Sequence, residues 1–233
     1  MSVSHMSRVH PSALTILTGL TILTVLTDAL ISRLPEHCTG QAQNRERVFI
    51  AGVKIAFSRG SFTRHEPTGD SNIVDFLDKR TRDDNRSNLP PVTAVGARER
   101  VKRAMKEIVN NGINPKTSDA IVDIDSTNGH FMYGVSPCIT KARGAAGGHW
   151  ILRYGRRFSA IEIERLFGTH LQPPSGGLPV SATRPTSVSE RAWTGMLGNS
   201  IPVPLLAAVL SEALPECRLT SRLHNVWQRS SVS

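Results

Sequence analysis

The sequence predicts a mixed α/β protein, because strand-like apolar runs alternate along it with amphipathic helical segments. Residues 44–57 (NRERVFIAGVKIAF) pass from charges into a β-branched apolar stretch, which is typical of a buried strand. Residues 97–111 (ARERVKRAMKEIVNN) gather their apolar side chains on one helical face, and Asn111-Gly112 offers a C-cap. Residues 119–125 (DAIVDID) predict a second, shorter strand.

Three further helical segments are predicted downstream of the first strand. A short helix is expected around Ile73–Leu77, within an otherwise polar stretch. The segment 159–168 (SAIEIERLFG) begins with Ser159 as N-cap, and Glu162 three residues later completes a capping box. The apolar segment Pro204–Leu214 predicts a last helix, because its proline stands near the start, where helices tolerate it.

The N-terminal residues 13–26 (ALTILTGLTILTVL) leave three interpretations open. The favoured one is a buried helix that leads into the domain; the others are a signal or organelle-targeting segment and a chance extension. The uncharged run at 11–27 is shorter than the roughly 20 residues that a membrane-spanning helix needs. A membrane is therefore not an expected partner.

The charge balance favours an anionic partner, since 28 Lys and Arg face 19 Asp and Glu and give a net charge of +9. Such a surplus suits the phosphates of a nucleic acid, although a generally basic protein without that partner fits it equally well. The 3 cysteines, Cys38, Cys138 and Cys217, are far apart in the sequence. Neither a disulfide framework nor a bound metal is expected from that spacing.

Glycines crowd the region 134–155, where three cations also lie: Lys141, Arg143 and Arg153. Small residues allow a backbone to approach a ligand closely, and Lys and Arg side chains bind phosphate oxygens. We therefore predict that these three cations contact DNA or a similar polyanion.

Four segments carry motifs whose order is informative. They are Gln43–Phe49 (QNRERVF), Ser136–Thr140 (SPCIT), Arg157–Gly168 (RFSAIEIERLFG) and Gly198–Pro204 (GNSIPVP). In this order they resemble the eighth conserved block, a target-recognition segment, the ninth block and the tenth block of the DNA (cytosine-5) methyltransferases. The ninth segment departs from the family pattern at Phe167 and at Thr169-His170.

The resemblance covers about residues 28–214 and implies a domain organisation. It implies a partial Rossmann-like, S-adenosylmethionine-dependent methyltransferase domain and a mixed, loop-rich target-recognition domain. The ranges implied are an N-terminal apolar extension (1–27), the end of the catalytic domain (28–60), the target-recognition region (61–155), the ninth and tenth blocks (156–214) and a flexible tail (215–233).

Three motifs of the family are not found upstream of Gln43: the Phe-x-Gly-x-Gly cofactor loop, the Pro-Cys-Gln nucleophile loop and the Glu-Asn-Val block. The resemblance therefore implies a C-terminal half that methylates cytosine only together with a separate N-terminal half. A non-catalytic DNA-binding remnant and a truncated gene product without stable function are the alternatives. We also expect an isolated C-terminal half to expose apolar faces of Val48–Phe57 and Pro204–Leu214.

The resemblance assigns roles to two pairs of residues. Arg45 is expected to fix the active-site loop, and Arg47 is expected to reach the carbonyl of a flipped cytosine, although a strand-end salt bridge with Glu46 would explain them too. Asn199 and Ser200 match the block that lines the S-adenosylmethionine pocket, and both are also ordinary helix caps.

Cys138 and the ninth block are interpreted as structural. Cys138 follows a proline, as the family's nucleophile does, but it lies after the eighth block instead of before it, so a catalytic thiolate is the disfavoured alternative. Glu162 and Arg165 are expected to form a buried charged pair that braces the recognition region.

Overall fold

The computed structural model describes residues 28–35, 42–44, 46–53, 71–78, 88–169, 184–216 and 219–221. The predicted mixed α/β class is confirmed, since these residues form both helices and sheets. The strands are β1 (Asp28–Pro35), β2 (Gln43–Asn44), β3 (Glu46–Val53), β4 (Ala120–Val122), β5 (Phe131–Tyr133), β6 (Ser136–Pro137), β7 (Trp150–Ile151) and β8 (Arg156–Arg157). The α-helices are α1 (Val95–Asn110), α2 (Lys141–Ala145), α3 (Ala160–Leu166), α4 (Glu190–Gly198) and α5 (Val203–Glu216). The helix expected at residues 11–27 lies outside the described residues.

The strands form three separate sheets. The first is an antiparallel pair of β1 and β3, in which Arg47 stands opposite Leu34. The second is a short parallel pair of β2 and β6, with Gln43 opposite Ser136. The third is an antiparallel sheet in the order β5-β4-β7-β8. The strand predicted at 119–125 is thus a three-residue central strand, and the one predicted at 44–57 divides into β2 and β3.

The third sheet is covered on both faces, because alternate residues of a strand point to opposite sides. Ile121 of β4 and its partner Ile151 of β7 belong to one hydrophobic cluster, together with buried residues of α3 such as Ile163. Val122 and its partner Trp150 belong to a second cluster, which contains the buried face of α1. A sheet of very short strands therefore separates two apolar cores.

The amphipathic helix predicted at 97–111 is confirmed as α1. Its buried residues Val101, Ala104 and Ile108 recur at the spacing of one helical face and pack into the second cluster. The helix ends at Asn110, Asn111 is its C-cap, and Gly112 follows with a φ of 75°. This left-handed conformation suits glycine, which has no Cβ to clash with the preceding carbonyl.

The predicted capping box of α3 is confirmed, but the predicted partner of Glu162 is wrong. The hydroxyl of Ser159 accepts from the amide of Glu162, and the carboxylate of Glu162 accepts from the amide of Ser159. That buried carboxylate also pairs with Arg156, whose Nη1 and Nη2 lie 2.7 Å from its two oxygens. Arg165 pairs instead with Asp78, at 2.7 Å. Glu162 and Arg165 nevertheless meet at Asp78, whose amide donates to Oε1 of Glu162 at 2.8 Å, since residues three apart lie on the same helix face.

The helices α2 and α4, which the sequence did not predict, pack against each other through glycines. A Cβ on Gly144 would clash with the carbonyl oxygen of Thr194, and one on Gly198 would clash with that of Thr140. The two backbones therefore approach more closely than residues with side chains would allow. This contact fixes the end of α4 beside the start of α2.

The predicted helix at Pro204–Leu214 is confirmed as α5, which lies against β3. The stretch Glu190–Pro215, which combines α4 and α5, has the length and mean hydropathy (1.4) of a possible membrane span. It is 35% buried, and buried core helices meet the same criteria. The turn at residues 199–202 interrupts its helical geometry.

Candidate functional site

A cavity of about 470 Å³ opens beside the parallel pair of β2 and β6. This volume is within the range of small-molecule and base-sized pockets. Residues from four parts of the chain line it, namely Asn44, Asp123, His130, Met132, Pro137, Cys138, Thr140 and Arg143. The described residues that line the cavity thus combine one carboxylate and one guanidinium with several other polar groups.

The β2–β6 pairing brings Asn44 to this cavity. The amide of Ser136 donates to the carbonyl of Ala42 at 2.7 Å, which anchors the start of β6 beside β2. The side-chain amide of Asn44 then lies 3.4 Å from the sulfur of Met132 on the cavity wall. Two segments that are more than 90 residues apart in the sequence therefore meet at one site.

Asp123 is the carboxylate of the cavity, and it follows directly after β4. The Nε of Arg143 lies 2.9 Å from its Oδ1. The Nδ1 of His149 lies 3.5 Å from the same oxygen. Partial burial alone would raise the pKa of Asp123, but the hydrogen bonds and charges of His149 and Arg143 outweigh it and hold that pKa well below its usual range. The carboxylate is therefore ionised at neutral pH.

His149 supports this arrangement from behind the cavity and is 0% exposed. Its Nε2 lies 3.3 Å from the carbonyl oxygen of Cys138, on the side away from Asp123. Both ring nitrogens therefore face oxygen acceptors, and the imidazole connects the cavity wall to the strand β7 that follows it. Cys138 itself lines the cavity and forms no disulfide.

A neighbouring carboxylate, Asp125, has a different kind of partner. Arg157 donates to it from both terminal amino groups, each at 2.8 Å. The hydrogen bond from Arg157 is the main reason that the pKa of Asp125 lies below its usual range. Arg157 also donates to the carbonyl of Gly148, so this pair ties the loop after β4 to the hairpin of β7 and β8.

The three cations predicted to contact DNA have different environments. Lys141, the first residue of α2, is exposed. Arg143 lines the cavity. Arg153 pairs with Asp119 at 3.1 Å and donates to the carbonyl of Thr117 at 2.7 Å. Of the three, Arg153 is the one that makes both an ion pair and a side-chain hydrogen bond to a backbone carbonyl within the fold.

The residues predicted to act at the base and the cofactor are described in part. Arg45 lies outside the described residues, and of Arg47 only the backbone position in β3 is described. Asn199 caps the C-terminus of α4 with its side chain exposed, and the hydroxyl of Ser200 donates to the carbonyl of Leu197 at 2.7 Å.

Sequence analysis missed Asp123, His149 and Asn44 as members of the site. The sequence shows that the DAIVDID strand ends in charged residues. No local sequence pattern, however, distinguishes a carboxylate that lines a cavity from one that is exposed to solvent. No group of three or more His, Cys, Asp or Glu side chains within the described ranges is placed to hold a metal ion. No protein-family model matches the chain, and no curated protein matches it.

Proposed function

We propose that this chain is the target-recognition and cofactor-closing part of a DNA (cytosine-5) methyltransferase. The observation that carries the proposal is the convergence of its motif segments. β2, from the eighth-block segment, pairs with β6, from the recognition segment. Gly198, from the tenth-block segment, contacts Thr140 at the end of that recognition segment.

The ninth-block helix supports the same assignment. The indole N–H of Trp193 in α4 donates to the buried carboxylate of Glu164 in α3 at 2.5 Å. α3 is thereby attached to the helix that ends in the Gly-Asn-Ser turn. α4 therefore contacts both α2, which follows the recognition segment, and α3 of the ninth-block segment.

Under this proposal the β1–β3 pair and α5 belong to a partial Rossmann-like methyltransferase domain, and the region from residue 61 to residue 155 reads DNA. Arg45 and Arg47 belong to the eighth-block segment and are assigned to the target cytosine by the resemblance. A guanidinium suits a base carbonyl because it stays charged and offers a fixed fork of donors. Asn199 and Ser200 would hold the polar end of S-adenosylmethionine, which supplies the methyl group.

The thiolate that adds to cytosine C6 would come from a polypeptide segment outside these 233 residues. The target base must leave the duplex before it can react, which costs a few kcal/mol of stacking and pairing energy. The residues of this chain would offset that cost by holding the flipped base and the phosphates on either side. The net charge of +9 favours the required approach to DNA.

The test combines the chain with an N-terminal methyltransferase half that contains Pro-Cys-Gln, and measures transfer of labelled methyl groups to duplex DNA. We expect transfer only when both parts are present. Arg47→Ala should lower the rate about a hundredfold, the usual effect of removing one preorganised donor. Arg184→Ala is the matched control, because Arg184 is exposed and donates to the carbonyl of Val188.

DNA binding by the chain without any methyl transfer in the mixture would instead support the alternative, a non-catalytic DNA-binding protein. The surplus of positive charge favours that function as well. If neither DNA binding at low salt nor methyl transfer is observed, both functions are excluded.

A further inference from the structure

Two arginines bind carboxylates on the loop after β4, and they do so in different ways. Arg157 commits both of its terminal amino groups to Asp125. Arg143 donates to Asp123 from Nε, which lies 2.9 Å from Oδ1 and 3.1 Å from Oδ2. The terminal amino groups of Arg143 have no hydrogen bond to any residue in the described ranges. They form a fork of donors beside a cavity that Arg143 lines.

Asp123 makes this fork rigid. The carboxylate holds Nε. Its Oδ1 also accepts from the amide of Asp125 at 3.1 Å and lies 3.5 Å from Nδ1 of the buried His149. The side chain of Arg143 is 26% exposed and that of Asp123 is 14% exposed, so the pair stands at the cavity surface. A guanidinium fixed at Nε presents its two outer donors to one ligand without losing side-chain entropy on binding.

The charge of the cavity selects the kind of ligand. Among the described residues that line the cavity, Asp123 is the one Asp or Glu and Arg143 is the one Lys or Arg, and their charges cancel. A phosphate would meet the negative carboxylate beside the guanidinium, whereas a neutral group with two adjacent acceptors would not.

We propose that Arg143 reads a guanine of the bound DNA, donating from its terminal amino groups to O6 and N7, with Asp123 as its positioning residue. This inference rests on the proposed function, since it presumes that DNA is the partner. The pair O6 and N7 is the commonest base edge recognised by an arginine fork in duplex DNA. Arg143 would thus determine one position of the target sequence.

The test selects duplexes from a pool with a randomised centre on the full chain, and sequences the bound fraction. We expect guanine to be enriched at one position by the wild type. Arg143→Lys keeps the positive charge and removes the fork, so it should reduce that enrichment about tenfold. Arg157→Lys is the matched control, because its fork is already occupied by Asp125, and it should retain the preference.

A second measurement changes the DNA and compares the wild type with itself, with Arg143→Lys as a further control. The selected guanine is replaced by 7-deazaguanine, which removes the N7 acceptor and leaves the Watson–Crick edge intact. Binding of the wild type should weaken about tenfold, while binding of Arg143→Lys should change little. A folding defect in a variant therefore cannot account for the result.

Three outcomes are decisive. If Arg143→Lys and 7-deazaguanine leave the preference and affinity of the folded protein unchanged, the inference is overturned. If Arg143→Ala weakens binding to all sequences equally and lowers the salt slope by about one, Arg143 contacts a phosphate and the inference is also overturned. If the wild type binds no DNA at low salt, the proposed function fails first, which distinguishes the two failures.

Discussion

The geometry of the cavity depends on the carboxylate of Asp123. It joins the end of β4 to α2 through Arg143 and to β7 through His149, so three elements share one negative charge. Hydrogen bonds to a charged group contribute about 1.5–3 kcal/mol, more than those between neutral groups. Removing that charge should affect stability as well as ligand binding.

This predicts a pH dependence of stability. The pKa of Asp123 is lower in the folded protein than in the unfolded chain, where it is about 3.9. The stabilisation by the charge of Asp123 is therefore fully present above the unfolded pKa, and it is lost as the pH falls through the folded pKa. Asp123→Asn should therefore be less stable than the wild type by about 2 kcal/mol at pH 7, and the difference should shrink below about pH 4. Urea unfolding between pH 7 and pH 2 measures both.

Asp75→Asn is the control for the change of net charge, because Asp75 is exposed and has no ion pair with a described residue. A difference in stability between the wild type and Asp123→Asn that stays constant down to pH 2 would contradict the role of the charge.

Arg143 was identified from sequence as a DNA contact, whereas Asp123 and His149 were not. Their pairing joins residues 20 or more positions apart, and no local pattern encodes it.

At the scale of elements, the sequence predicts the helices whose signals are local. Each of three helices can be predicted from its own residues, without knowledge of what packs against it. The signals are the apolar spacing of α1, the Ser159–Glu162 capping box of α3 and the apolar run of α5. α2 and α4 were missed because glycines lower helix propensity. Those glycines serve a tertiary purpose, which is the close approach of the two helices.

The glycine contact between α2 and α4 makes a prediction of its own. Gly144→Ala should lower the free energy of unfolding by about 1–3 kcal/mol, because the added Cβ meets the rigid carbonyl of Thr194. Gly96→Ala is the matched control: its nearest neighbour is the flexible side chain of Arg100, at 3.4 Å. Since Gly96 lies in α1, this change should be neutral or stabilising by up to about 1 kcal/mol. Equal effects of the two substitutions in thermal unfolding would contradict the close packing.

At the scale of the whole molecule, apolar side chains remain exposed along the C-terminal helices. Met196 is 56% exposed, and Ile201, Leu206 and Leu210 are each close to 40% exposed. Exposed apolar surface of this kind marks an interface when the side chains are contiguous. Under the proposed function, an N-terminal methyltransferase half would contact this region.

We therefore predict that the purified chain binds an apolar fluorescent dye, and that an added N-terminal half suppresses the signal. Leu206→Ser and Leu210→Ser together should reduce dye binding, because each removes apolar surface that is exposed to solvent. Val92→Ser is the control, since Val92 is 75% exposed and precedes α1. A sharp cooperative melt without dye binding would be evidence against an exposed interface.

The three residues of β4 have a consequence for how the molecule opens. Adjacent side chains of this strand, Ile121 and Val122, enter separate hydrophobic clusters, while its backbone pairs with both β5 and β7. Neither cluster can loosen without disturbing the strand that the other one needs. The amide hydrogens of Ile121 and Val122 should consequently be among the last to exchange with solvent deuterium, and they should do so at rates that report the rupture of both clusters together.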